Sequence, residues 1–149
     1  MKDFEKISNK LNELLVKNYD AEKGYIHAMQ NVDSDRLKAF FKERSEERSK
    51  FAMQLRTQIL TYGGEPKESG SFAGMAHRNW MSLKSLFSSY DEEAILEETI
   101  KGEKASLDDY NDVLSISNLP TSVETLVSSQ KNSIWNVINT AEKLETMAS

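Results

Sequence analysis

The sequence predicts an all-α protein: four long helices in an up-down-down-up bundle, with a long crossover that carries a short helix. Three observations predict it. Apolar residues recur at steps of three and four along almost the whole chain. Gly and Pro are scarce, 6 and 2 among 149 residues, which argues against a turn-rich β-sandwich. The breaks between the stripes are short, long and short in that order, and this order sets the topology.

The first stripe reads Phe4, Ile7, Leu11, Leu14, Leu15, Ala21, Tyr25, Ala28, Met29 and Val32. It predicts a helix over about 3–31, with Asp3 as a cap. Gly24 lies inside it at a cost of about 1 kcal/mol relative to Ala and hints at close packing. Asn31 to Asp35 breaks the helix, and Asp33 or Ser34 suits the N-cap of the next one. Its stripe is Leu37, Phe40, Phe41, Phe51, Leu55, Ile59 and Tyr62, and Gly63-Gly64 with Pro66 stops it, so the second helix covers about 34–62. So short a link makes these two helices antiparallel.

Residues 63–90 form a connection far longer than the roughly 2–8 residues of a helical hairpin. Phe72, Ala76, Trp80, Leu83 and Phe87 predict a short crossover helix over 72–88. Ser89 and Glu92 have capping-box spacing, and Asp91 is the alternative cap. Ile95, Leu96, Ile100, Leu107, Tyr110, Val113, Leu114 and Ile116 give the third long helix, about 91–117. Thr121 and Glu124 read as a second capping box after Pro120. Val123, Leu126, Val127, Ile134, Val137, Ile138, Ala141 and Leu144 then give the fourth, about 121–146. Two tight hairpins joined by one long connection describe the ferritin-like topology, with one domain over 1–149.

Composition narrows the chemistry. There is no Cys, which removes disulfides, thiolate metal sites and thiol catalysis. A net charge of −5 and a pI near 5.2 oppose binding to a phosphate backbone. No apolar run reaches the roughly 20 residues of a membrane helix, and the first residues do not open a signal peptide. The expectation is a cytoplasmic protein with no nucleic-acid or membrane partner.

Polar residues interrupt the stripes, and they carry the remaining information. Asn18 and Glu22 fall on the first stripe, and Arg44, Glu47 and Arg48 fill the gap between Phe41 and Phe51. Glu103 lies between Ile100 and Leu107, Tyr110 follows on the same stripe, and Gln130 lies between Val127 and Ile134. All fall near the middle of their helices. Buried charges are costly unless paired, so two solutions compete. One is a di-metal site, which in ferritin-like bundles takes a Glu from each of two helices and Glu-x-x-His from the other two. The other is a polar core layer in which arginine supplies the cation.

The residues favour the second. No Glu-x-x-His occurs: Lys50 follows Glu47 by three, and Glu46 follows Glu43. His27 lies off the apolar stripe and His77 is in the crossover. Arg44 and Arg48 would set positive charge where a metal would bind. The expected polar layer is Asn18, Glu22, Arg44, Glu47, Arg48, Glu103, Tyr110 and Gln130. The alternative is an iron or manganese pair on Glu22, Glu43, Glu47 and Glu103. Glu43, Glu46 and Glu47 also form an acidic cluster that reads first as a solvated helix face, with a weak Ca²⁺ or Mg²⁺ contact as the sharper reading.

Adjacent Phe40 and Phe41 need a wide apolar face, or a cover from the crossover or a second chain. Trp80 and Trp135 read as residues that lock the crossover and the fourth helix, or as interface markers. Tyr25, Tyr62 and Tyr110 read as core residues. Neither His supports a hydrolase triad, and Gly63-Gly64 follows a helix, so it cradles no phosphate.

Short segments at set spacing carry a family resemblance. They are Leu11-Asn12-Glu13-Leu14-Leu15, Gly24-Tyr25, Arg48-Ser49-Lys50-Phe51 with Leu55, Gly63-Gly64-Glu65-Pro66, Gly102-Glu103 with Tyr110, and Leu119-Pro120. Together they resemble a bacterial family of ferritin-like four-helix-bundle proteins of unknown function, over almost the whole chain. The resemblance implies the fold and brings no activity. Family members are similar in outline to rubrerythrin and bacterioferritin-type proteins, but the Glu-x-x-His ligands are missing here, so ferroxidase and peroxidase chemistry do not carry over. The expected function is a non-catalytic bundle, a structural or stress-associated interaction protein with a protein partner or its own copies. A weaker expectation is a small-molecule or lipid binder in the bundle interior, with a cavity beside Gly24 and Gly102.

Overall fold

The computed structural model describes residues 2–70 and 91–148. Within them are four helices and no strand: α1 (Lys2–Asn31), α2 (Asp35–Thr61), α3 (Glu92–Leu114) and α4 (Thr121–Ala148). The expected crossover helix over 72–88, with Trp80 and His77, lies outside the described residues. The chain forms two compact units, one holding α1 and α2 and the other α3 and α4.

In the first unit, only residues 32–34 separate the helices, so α1 and α2 form an antiparallel hairpin. Ser34 caps α2: its hydroxyl accepts the Leu37 N–H at 3.3 Å, and its extended backbone (φ −65°, ψ 124°) turns the chain. The α2 terminus is a Schellman motif. Gly64 N–H reaches the Ile59 carbonyl at 2.9 Å and Gly63 N–H the Leu60 carbonyl at 3.1 Å. Gly63 takes φ +78°, a conformation that side chains with a Cβ resist. Gly64 is required for a different reason: a Cβ there would meet Ser8 Oγ at 2.7 Å and Ile59 Cγ2 at 3.0 Å.

The buried apolar face of this hairpin is Ile7, Leu11, Leu14, Leu15, Tyr25, Ala28 and Val32 on α1 and its end, against Leu37, Phe41, Ala52, Leu55 and Ile59 on α2. Both adjacent phenylalanines are buried, Phe40 at 6 % and Phe41 at 1 % exposed. Phe41 stacks on Tyr25 with centroids 5.9 Å apart, and Phe40 meets Phe41 edge-on at 5.3 Å. The Arg44 guanidinium lies 5.4 Å over the Phe40 ring, so this chain's own arginine helps to cover it. Tyr62 is only half-buried and stacks on the exposed Phe4 at 5.4 Å, so it belongs to the rim, not the core.

In the second unit, Asp91 is the N-cap of α3, with its carboxylate accepting the Ala94 N–H at 3.0 Å. The helix ends at Leu114, earlier than the expected 117. Ile116 N–H bonds back three residues to Val113, which tightens the turn, and Asn118 adopts φ 63°, which an α-helix cannot hold. The expected capping box at Thr121 is also corrected. Glu124 N–H bonds to the Pro120 carbonyl at 3.0 Å, so Pro120 holds the cap position and Thr121 is the first helical residue.

Ile95, Leu96, Ile100, Tyr110 and Val113 of α3 are buried, as are Val123, Val127, Ile134, Val137, Ile138 and Ala141 of α4. Trp135 is not a core lock: it is 54 % exposed, on the flank of the Ile134–Ile138 stripe.

Candidate functional site

The buried polar residues sit on the inner stripe of each helix. On α2 that stripe runs through Phe41, Ser45, Arg48, Ala52, Leu55 and Ile59 in alternating steps of four and three. On α1, Asn18 continues the line of Leu11 and Leu14. Asn18 is 0 % exposed and Arg48 3 %. The two are joined: Arg48 Nη1 donates to Asn18 Oδ1 at 2.9 Å, while Asn18 Nδ2 donates to the Leu14 carbonyl at 2.8 Å. The asparagine thus turns its amide nitrogen to its own helix and its amide oxygen to a buried guanidinium. Ser45 is buried as well, with its hydroxyl donating to the Lys42 carbonyl at 2.7 Å.

Arg44, Glu47 and Glu22 are less buried than this interior set. Arg44 and Glu47 are each one position off the inner stripe, on the shoulder of α2. Their side chains keep 15 % and 26 % exposure, and they pair at 4.0 Å. Arg44 also approaches the exposed Glu43 at 3.8 Å. Glu22 is half-buried on α1. The shoulder position explains the discrepancy: a helix stripe about 100° wide leaves its edge residues half in water, where a charge keeps its hydration.

On the second unit, Glu103, Tyr110 and Gln130 are buried at 2 %, 1 % and 1 % exposure. Tyr110 Oη donates to Gln130 Oε1 at 2.6 Å and so ties α3 to α4. Gly102 borders no internal gap. It is exposed, and a Cβ added there meets nothing within 4 Å, so the volume missing from its side chain lies in solvent. An open surface cleft of about 550 Å³ does lie between α3 and α4, lined in part by Glu93, Glu97, Lys101, Lys104, Glu142 and Glu145. Its charges are of both signs and its mouth is wide, unlike an enclosed apolar ligand pocket.

Sequence reasoning missed a third polar set. Asn12, 9 % exposed, donates through Nδ2 to the Glu65 carbonyl at 3.0 Å and accepts the Lys67 N–H at 2.9 Å. Tyr19 Oη donates to the Lys67 carbonyl at 2.9 Å, and Arg56 Nη1 reaches Tyr19 Oη at 2.8 Å and the same carbonyl at 3.0 Å. Residues 64–67 are thereby strapped along α1. The available signal was a second stripe, Ser8, Asn12 and Tyr19, one position behind the apolar one.

A ferritin-type metal pair needs about four carboxylates and two imidazoles on facing helices. Glu103 is the one buried carboxylate among the described residues, while Glu22 and Glu47 are half-buried and Glu43 is exposed. Among the described residues no three His, Cys, Asp or Glu side chains converge in a way that could hold a metal ion. The donor set does not fit that group. Nor is any described helix long and apolar enough to cross a membrane.

Comparison with known proteins places this geometry. The model of a domain of unknown function, DUF2383, matches residues 6–115. No curated protein matches the chain. Among solved structures, a dodecameric thioferritin, the bacterioferritin-related protein from Bacteroides fragilis, superposes with a TM-score of 0.77. That match covers 96 % of this chain and 86 % of the other, at 14 % identity. The likeness is one of fold: this is an all-α, ferritin-like four-helix bundle.

Proposed function

This chain belongs to the DUF2383 family, and on that premise we propose that it is a non-catalytic helical bundle, a structural or stress-associated interaction protein that assembles with its own copies. One observation carries the reading. Among the described residues, the buried polar positions of the first unit hold the Arg48 guanidinium bonded to Asn18, and those of the second hold Tyr110 bonded to Gln130 and one carboxylate, Glu103. A buried guanidinium raises the energy of a nearby divalent cation, and one carboxylate is fewer than a metal pair takes.

The Glu/Arg/Gln polar layer read from the sequence is part of this proposal, as is a single domain over 1–149. So is a cytoplasmic, bacterial setting, supported by the lack of Cys and by the source of the structural neighbour. That neighbour is a dodecamer, which supports self-assembly here.

The test is elemental analysis of protein purified with iron and manganese supplied, coupled to light-scattering mass. The expected result is metal far below one ion per chain and a mass above that of one chain. Stoichiometric iron or manganese would replace this reading with a di-metal carboxylate protein. A strictly monomeric mass would remove the self-assembly.

A further inference from the structure

We draw no further inference here: the strongest candidate, the uncharged stripe of Thr121, Thr125, Ser129, Asn132 and Asn136 beside the exposed Trp135 on α4, is a surface patch for which nothing in the structure shows what covers it.

Discussion

Arg48 reaches Asn18 at 2.9 Å from a position 30 residues away in sequence, and neither side chain has meaningful access to water. The bond decides what the centre of the first hairpin can be. Asn18 cannot turn its oxygen elsewhere, because its nitrogen is committed to the Leu14 carbonyl. The guanidinium is therefore held by an acceptor fixed to α1, and the level at which α2 packs on α1 is fixed with it. An apolar pair of similar volume would fill the same space without setting a register.

Asn18→Leu removes one acceptor from the buried guanidinium. The expected cost is about 1–3 kcal/mol, the penalty for losing one hydrogen bond of a buried donor. Adding Arg48→Met should cost less than the two single losses summed, since the bond they share is lost only once. Urea melts of the two single variants and the double variant measure this. Strictly additive losses would show that the two residues act independently.

Glu103 presents the same physics on α3. At 2 % exposure it is a buried carboxylate, and a buried carboxylate persists only where the surroundings neutralise it. Glu103→Ala should cost on the order of 2–4 kcal/mol. Glu103→Gln keeps the shape and removes the charge, so it separates packing from electrostatics. If both variants melt within a few tenths of the parent chain, the carboxylate is not engaged in the interior.

Tyr110→Phe deletes the donor of a 2.6 Å bond to Gln130 Oε1 in a dry site. The expected loss is about 1–3 kcal/mol, with the helix content unchanged. Combining it with Gln130→Leu should cost less than the two single losses summed, because the bond they share is lost only once. Thermal melts followed by circular dichroism suffice. A double variant less stable than the sum of its parts would contradict the pairing.

The helices were legible because burial imposes a period on the sequence, and Leu11, Phe41, Ile100 and Ile134 announce it. Asn18, Arg48, Glu103 and Gln130 were legible for the same reason, as polar residues at positions the period reserves for apolar ones. Arg44 and Glu47 misled because one step off the stripe is about 100° of rotation. The sequence does not say whether a residue at the edge of the stripe reaches water. Helix ends erred for a local reason: the Pro120 carbonyl and the left-handed Asn118 are backbone events with no hydrophobic signature. Asn12 was missed because the second stripe it shares with Ser8 and Tyr19 reads as a solvated flank, and its partners, main-chain groups of residues 65 and 67, carry no sequence signal of their own.

Asn12 supplies the last test, on how the chain leaves the first hairpin. Its amide matches the Glu65 carbonyl and the Lys67 N–H as a peptide of a neighbouring strand would, with one bond given and one accepted. Tyr19 and Arg56 both converge on the Lys67 carbonyl, but neither can replace the acceptor that Asn12 offers to the Lys67 N–H. Asn12→Ala should therefore release that amide specifically. Hydrogen exchange at Lys67 should accelerate strongly while the amides of the Leu55 and Ile59 turns keep their protection, and global stability should fall by about 1–2 kcal/mol. Asn12→Asp discriminates further: it keeps the acceptor for Lys67 and loses the donor to Glu65, so Lys67 should stay protected. Unchanged exchange at Lys67 in Asn12→Ala would mean that Tyr19 and Arg56 hold the strap by themselves.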